Sequence, residues 1–189
     1  MQKTRPFARA ILILLLVLTC LSLFTPIFDR ALRAARRRTI IDHARYAAAE
    51  FAVPTALVLA VIEVESDFRK DAHSDAGAMG LMQLMPETFE YLTTEKLMEF
   101  LPADAILDPR TNVRYGTCYL AYLFHRFGSW QTAITAYNAG EGRVASWLQN
   151  PRYGNADGTA LIEIPFPETK YYKTAVLAAY ERYSKKYNF

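Results

Sequence analysis

Two glutamates, Glu63 and Glu65, lie two positions apart in the apolar stretch VIEVESDF and could carry acid–base chemistry. On a helix, Glu65 shares its face with the residues three, four and seven positions back, which are Ile62, Val61 and Val58. Glu63 points about 200° away from that face. Because the preceding ALVLAVIEV is apolar nearly all round, the helix is predicted to be buried, and a carboxyl group on it would favour its protonated form. A carboxyl group partly protonated near neutral pH suits general-acid catalysis.

Helix geometry alone leaves the role of Glu65 open. Most glutamates near a helix end are exposed to solvent or paired with a cation, and this ordinary structural role competes with catalysis. The geometry does separate the two acids, because it predicts that Glu63 lies off the apolar face. The surrounding elements and motifs must decide between the two roles.

The rest of the chain is predicted to be mainly α-helical, with short breaks and no long alternating strand pattern. Pro54 is placed in the first turn of a helix that runs through Ser66, and Asp108-Pro109 opens the next long helix. Two shorter helices, WQTAITAYN and EGRVASWLQ, are separated at Ala139-Gly140, and PETKYYKTAVLAAYERYSKKY forms the last one. The glycines of DAGAMGLMQLMP indicate a loop with close backbone approach.

The chain has 189 residues, of which 52% are hydrophobic, so one packed domain is expected. Its formal charge of +3 belongs to the N-terminus: residues 1–45 carry nine Lys/Arg and two acids, which leaves 13 basic and 17 acidic groups afterwards. A mildly acidic domain without a basic stripe argues against nucleic acid as a partner. No metal or cofactor is expected, because His43, His73 and His125 lack the spacing of zinc ligands.

The uncharged stretch Ala10–Phe28 is long enough to cross a bilayer as a helix and is predicted to be a transmembrane signal-anchor. A cleaved secretory signal peptide, with a secreted product, is the alternative. The predicted organisation is a cytoplasmic segment 1–9, the anchor 10–28, a basic juxtamembrane linker 29–45 and a catalytic domain 46–189. More positive charges follow the anchor than precede it, so loop charge alone would place the domain in the cytoplasm, whereas the expected function requires the extracytoplasmic side.

The stretch ESDFRKDAHSDAGAMGLMQLMPETF resembles the lytic transglycosylases of the soluble-transglycosylase (SLT) and goose-type lysozyme superfamily. Three downstream stretches, DPRTNVRYGTCYLAYLFHRFG, AYNAGEGRV and IPFPETKYY, are similar to further motifs of that family in the same order. The resemblance covers about Ala52 to Tyr183 and implies a lysozyme-like helical domain. It departs from the family pattern mildly, at Arg69-Lys70, Asp75 and Lys173.

The resemblance implies that Glu65 is the catalytic acid and base. It also implies a set of saccharide-binding residues, which are Ser74, Met82, Gln83, Met85, Tyr137, Asn138, Glu168 and Tyr172. Several of these have structural alternatives. At least one methionine of the Met79, Met82 and Met85 series is expected to fill the core, Asn138 could end a helix, and Glu168 suits a first helical turn.

The function implied by the resemblance is cleavage of the β-1,4 bond between N-acetylmuramic acid and N-acetylglucosamine in peptidoglycan, with formation of 1,6-anhydromuramic acid ends. One alternative is a hydrolytic muramidase on the same fold, for which a second carboxylate such as Asp71 or Asp75 would have to hold a water. The other is a membrane-anchored peptidoglycan-binding module without catalysis. The expected partners are peptidoglycan strands and, through the anchor, membrane lipid.

Overall fold

The computed structural model describes Phe28, Leu32 and residues 34–187. The chain divides into two units, Met1–Thr39 and Ile40–Phe189. In the first unit, residues 34–39 are helical. Residues 10–27 of the predicted anchor lie outside the described residues, and no helix among those described is long and apolar enough to cross a membrane.

The second unit is built from helices, as the sequence predicts. The helices are α1 (residues 40–51), α2 (Thr55–Ser66), α3 (Pro86–Tyr91), α4 (Pro109–Phe127), α5 (Trp130–Ala139), α6 (Glu141–Gln149) and α7 (Pro167–Tyr187). A π-helical turn covers Leu92–Lys96, and a 3₁₀ turn covers Ala103–Leu107. Within the described range, extended backbone pairs only as isolated bridges, such as Met79 with Leu84.

The compact unit starts at Ile40, before the predicted domain boundary at residue 46. Ile40 and Ala44 are buried and belong to the main hydrophobic core. Residues 40–45 therefore contribute a packed helical turn to the domain, whereas the sequence analysis assigned them to a linker. Their apolar residues repeat at an interval of four, which places them on one face of α1.

Helix α2 lies at the centre of the core. Every residue from Ala56 to Ile62 is at most 3% exposed, which confirms the prediction of a helix buried on all sides. It packs against α7 and α4, and its core cluster also includes residues of α1 and α5. Full burial of one Val, Leu or Ile side chain contributes about 1.5–3 kcal/mol, so α2 is a major source of stability.

The C-terminal end of α2 is fixed to the glycine-containing loop by Ser66. Its hydroxyl lies 2.8 Å from the carbonyl oxygen of Leu81 and 3.0 Å from that of Ile62, and the side chain is buried. Asp67 then ends the helix in the left-handed conformation, with φ of 49°. Ser66 therefore holds the last turn of α2 and the loop in a fixed relation.

The same loop is held from its other side by Asn112, a fully buried residue of α4. The Asn112 amide nitrogen donates to the carbonyl oxygens of Met79 at 2.9 Å and Ile106 at 2.8 Å, and its amide oxygen accepts from the Met82 backbone N–H at 2.7 Å. Gly80 makes this approach possible, since a Cβ atom there would lie 2.3 Å from the Asn112 side-chain nitrogen. A single amide thus satisfies two backbone groups of the loop and one of the 3₁₀ turn.

Helices α2 and α7 are also joined by a polar contact at Glu63. The Glu63 carboxylate accepts hydrogen bonds from the guanidinium of Arg182 and the hydroxyl of Tyr183. Its side chain is 28% exposed, so it lies near the surface and is paired. The prediction that Glu63 lies off the buried face of α2 is confirmed, and its structural role is to fasten α7.

We expect Asn112→Ala to lower the free energy of unfolding by at least about 2–3 kcal/mol, because it leaves buried backbone groups without partners. Asn112→Asp keeps the acceptor for Met82 and loses both donors, so it should also destabilise the domain. Urea denaturation measures both, with exposed Gln131→Ala as a control. Unfolding curves for Asn112→Ala that match the control would contradict this role.

Candidate functional site

The candidate site begins at Glu65, in the last turn of the buried helix α2. The side chain is only partly exposed, and its neighbours Val61 and Ile62 on the same helix face are fully buried. After the helix, Asp67 and Phe68 have φ of 49° and 61°, so the chain turns sharply away. Glu65 is thus left at the edge of the core, between apolar packing and solvent.

Tyr172 of α7 is the direct partner of Glu65. Its hydroxyl donates to Glu65 Oε1 at 2.6 Å, although 107 positions separate the two residues in the chain. The Tyr172 ring is 7% exposed and belongs to the main core cluster. Burial and the nearby Glu65 charge raise the pKa of Tyr172 well above its usual value, so its hydroxyl remains protonated as a donor.

Burial raises the pKa of Glu65 to about 7, and the hydrogen bond from Tyr172 opposes this shift by stabilising the carboxylate. Near neutral pH the group is therefore divided between its acid and carboxylate forms. A carboxyl group in this state can give up a proton in one step and accept one in the next. The sequence-based expectation of a raised pKa agrees with this environment.

Tyr137 of α5 forms a second aromatic wall of the site. Its hydroxyl donates to the carbonyl oxygen of Met82 at 2.8 Å, and its ring centroid lies 5.4 Å from that of Tyr119. Burial raises the pKa of Tyr137 well above its usual value, and the charge of Glu65 adds to this rise. The electrostatic effect of Glu65 on both Tyr137 and Tyr172 places the three side chains in one site.

Three of the predicted saccharide-binding residues lie on the loop and the start of α3. Ser74 is exposed, and its hydroxyl accepts from the Ala78 backbone N–H at 3.0 Å. Gln83 has a φ of 46°, and its amide donates to the carbonyls of Ala72 at 3.0 Å and Gly80 at 2.9 Å. Met85, at the N-terminal end of α3, is 36% exposed. Gln83 thus holds the loop, while Ser74 and Met85 present surface.

The prediction that the Met82 side chain binds saccharide has to be corrected. Met82 is fully buried, and it packs so closely on Gly116 of α4 that a Cβ atom there would lie 2.6 Å from the Met82 sulfur. A side chain with no exposed surface offers none to a sugar. Met82 is therefore the methionine of the Met79, Met82 and Met85 series that fills the core. Its backbone carbonyl accepts the hydrogen bond from the Tyr137 hydroxyl.

Asn138 and Glu168 are both exposed, on α5 and at the start of α7 respectively. The Asn138 side-chain oxygen accepts a hydrogen bond from the Thr169 hydroxyl at 2.8 Å. This contact ties the end of α5 to the first turn of α7, next to Glu168. Saccharide binding by the exposed residues stays a prediction.

Sequence reasoning missed the residues that hold the site without facing it. These residues are the buried Ser66, Asn112 and Thr169. Ser66 and Asn112 bind the backbone of the loop, and Thr169 binds the side chain of Asn138. Each lies inside a motif already singled out, so a polar residue within an otherwise apolar helix face was the available signal. Their partners are far along the chain and could not be inferred from spacing.

Among the described residues, Tyr172 is the side-chain hydrogen-bond partner of Glu65. Asp71 and Asp75, which the hydrolytic alternative would require, are exposed on the loop. In the part of the chain that the structure describes, no group of three His, Cys, Asp or Glu side chains could hold a metal ion. The site therefore contains one partly neutral carboxyl group, the buried Tyr172 and the half-buried Tyr137.

Comparison with protein-family models matches residues 42–159 to the transglycosylase SLT domain. The soluble lytic murein transglycosylase of Escherichia coli K12 is 41% identical over 138 residues, which are 69% of this chain and 21% of that protein. The membrane-bound lytic murein transglycosylase C of Haemophilus ducreyi is 34% identical over 119 residues, 58% of this chain and 32% of that protein.

The solved structures to which this chain is similar are also lytic transglycosylases. The lytic transglycosylase Slt of Pseudomonas aeruginosa, in an inactive mutant form, superposes with a TM-score of 0.68 at 32% identity, covering 78% of this chain and 24% of that one. The 70 kDa soluble lytic transglycosylase of Escherichia coli gives 0.67 at 34% identity, covering 76% and 24%. The chain thus matches about a fifth to a third of the length of these larger proteins.

We expect Glu65→Gln to stabilise the protein increasingly as the pH rises. In the folded state the pKa of Glu65 is about 7, whereas its ordinary value is 4.5. The free energy of unfolding of the wild type is therefore highest below about pH 4.5 and decreases as the pH rises to about 7. The difference should be near zero at pH 4 and reach at most about 3 kcal/mol above pH 7.

Urea denaturation at a series of pH values measures this difference, with exposed Asp75→Asn as the matched control. A Glu65→Gln effect that is constant with pH would show that the carboxyl group is not desolvated.

Proposed function

The chain belongs to the transglycosylase SLT family, and on that premise we propose that it is a peptidoglycan lytic transglycosylase. Its substrate is the β-1,4 bond between N-acetylmuramic acid and N-acetylglucosamine, and its product carries a 1,6-anhydromuramic acid end. The observation that carries the proposal is the environment of Glu65, whose pKa of about 7 suits a group that acts first as acid and then as base.

In the first step, the Glu65 carboxyl group donates its proton to the glycosidic oxygen. The bond from that oxygen to C1 of the muramic acid breaks, and N-acetylglucosamine leaves with a free 4-hydroxyl group. Tyr172 supports this step, because its hydroxyl already donates to Glu65 Oε1 and stabilises the carboxylate that forms. The buried surroundings strengthen this hydrogen bond relative to water.

In the second step, the 6-hydroxyl oxygen of the same muramic acid attacks C1 and closes the 1,6-anhydro ring. The Glu65 carboxylate accepts the proton that this hydroxyl loses, which restores the starting form of the enzyme. No water is consumed. Because the nucleophile is part of the substrate, its effective concentration is high and a second catalytic carboxylate is unnecessary.

A hydrolytic muramidase would use a second carboxylate as nucleophile or to activate water opposite the acid. In the described chain, the side-chain hydrogen-bond partner of Glu65 is Tyr172, and Asp71 and Asp75 are exposed on the surface. The intramolecular reaction, which needs no second carboxylate, fits this arrangement. A non-catalytic binding module is disfavoured by the cost of keeping an acid at the edge of an apolar core without a chemical use.

We expect Glu65→Gln to lower the rate of sacculus cleavage by at least about 10³-fold while binding persists, because glutamine neither donates nor accepts the transferred proton. Mass spectrometry of the products identifies the reaction, and wild type should release anhydromuramoyl ends. Reducing muramic acid ends would establish hydrolysis instead. Absence of cleavage by the wild type would support the alternative of a peptidoglycan-binding module without catalysis.

The matched control for this experiment is Glu63→Gln, the same substitution two positions away. Its amide can still accept from Tyr183, so cleavage should stay within several-fold of wild type. A loss as deep as that of Glu65→Gln would show that the catalytic assignment between the two acids is wrong.

We also propose that Ala10–Phe28 anchors the enzyme in the cell membrane with the catalytic domain on the extracytoplasmic side, where peptidoglycan lies. The support is the length of this uncharged stretch and the location of the substrate. Tethering would confine the domain to the wall region near the membrane. The alternative, removal of the segment as a signal peptide, would release the domain.

The anchor predicts that the full-length protein sediments with membranes and resists extraction by carbonate, and that protease added to spheroplasts removes its C-terminal domain. A replacement of Leu18 and Leu21 by arginine should release it from the membrane fraction, because charges near the bilayer centre are costly. Recovery of the mature chain without residues 1–28 would establish secretion instead.

A further inference from the structure

A row of tyrosine rings extends from the candidate site towards α3, and we refer to Tyr137, Tyr119, Tyr122 and Tyr91 as the tyrosine row. The ring centroids of Tyr137 and Tyr119 are 5.4 Å apart, those of Tyr119 and Tyr122 are 6.1 Å apart, and those of Tyr122 and Tyr91 are 6.1 Å apart. All four side chains are partly exposed. The row thus provides a continuous aromatic surface that starts beside Glu65.

Lys96 lies at the far end of the tyrosine row. Its ammonium group is 4.6 Å from the Tyr122 ring centroid and 5.2 Å from that of Tyr91. A hydrogen bond with Tyr91 is the main cause that raises the pKa of Lys96, so the group is a cation at neutral pH. The side chain is exposed, and its position over two rings fixes the place of the charge.

The carboxylate near Lys96 is already occupied by other partners. Glu141 Oε2 lies 2.8 Å from Arg126 Nη1 and accepts the Tyr122 hydroxyl at 2.8 Å. Among the residues that the structure describes, Lys96 has no carboxylate oxygen within 4.0 Å. The three charged groups Lys96, Arg126 and Glu141 together leave one positive charge at the end of the row.

The surface of the tyrosine row continues the proposed saccharide groove. Tyr137 is itself a predicted substrate-binding residue, and its ring contacts that of Tyr119, so the row begins inside the proposed groove. Tyr119 packs between the two smaller core clusters, and Tyr122 projects from the next position on the same face of α4. A chain bound across Glu65 would therefore meet this surface next.

We propose that the tyrosine row and Lys96 form a subsite that binds a carboxylate-bearing part of peptidoglycan. The rings present flat apolar faces for the C–H faces of a sugar or a peptide backbone, and the ammonium group pairs with the carboxylate. Two parts of peptidoglycan supply this chemistry: the carboxylates of the peptide stem and, where stems have been removed, the lactoyl carboxylate of muramic acid. This inference rests on peptidoglycan being the substrate of the neighbouring site.

The test compares binding of Glu65→Gln and of the double variant Glu65→Gln/Lys96→Gln to three insoluble substrates at low ionic strength. These are intact sacculi, sacculi stripped of stems by an amidase, and sacculi whose carboxylates have been converted to amides. Co-sedimentation gives the dissociation constants. An exposed charge pair predicts binding about threefold weaker for the double variant on sacculi that carry the recognised carboxylate, and equal binding on the amidated ones.

The comparison of intact with stripped sacculi identifies the carboxylate. A difference confined to the stripped sacculi assigns the lactoyl group, whose carboxylate is free only where the stem is removed, and a difference confined to the intact sacculi assigns the stem. Equal affinities of the two proteins on both intact and stripped sacculi, or a difference that persists on amidated sacculi, would overturn the proposal. Lys96→Arg in the same background should restore binding, and Lys185→Gln, whose lysine pairs with Glu181 near the end of α7, should leave it unchanged.

A variant with the opposite effect adds a second readout. Glu141→Gln removes the negative charge next to Lys96, so it should tighten binding about twofold to sacculi that carry the recognised carboxylate and leave binding to amidated sacculi unaltered. None of these measurements requires cleavage. Absence of anhydromuramoyl products from wild type would therefore reject the proposed reaction while the binding comparison still decides the subsite.

Discussion

The site depends on the desolvation of one carboxyl group at the end of a helix that is otherwise entirely inside the core. Helix α2 satisfies its own backbone hydrogen bonds, so its apolar sequence can be surrounded by protein on every side without leaving polar groups unpaired. Glu65 lies where this helix reaches the surface. It is therefore deep enough for burial to raise its pKa and open enough for a substrate to reach it.

Such a group is unfavourable for folding, and the surrounding structure compensates for it through long-range polar contacts. Ser66 and Asn112 fix the loop beside the end of α2, and Glu63 fastens α7 to the same helix. The attachment of α7 brings Tyr172 to Glu65. Stability and chemistry are thus coupled. The contacts that hold these elements together also position Tyr172, which is the hydrogen-bond partner of Glu65 among the described residues.

Charge is distributed along the proposed groove in a way that suits its substrate. Around Glu65, the neutral hydroxyls of Tyr137 and Tyr172 surround the acid, so its proton affinity is set by burial and not by a neighbouring cation. Cationic charge lies farther along the tyrosine row, at Lys96 and Arg126. This separation allows carboxylates of a substrate to be attracted without lowering the pKa of the catalytic group.

The sequence by itself determined the helical class, the buried character of α2, the separation of Glu65 from Glu63 and, through its motifs, the family. These properties depend on local periodicity and on short patterns, which the order of residues records directly. Only the tertiary structure decided that Tyr172 bonds to Glu65 and that Met82 is buried. Such facts depend on which surfaces meet when helices pack, and residues 107 positions apart carry no local signal of that meeting.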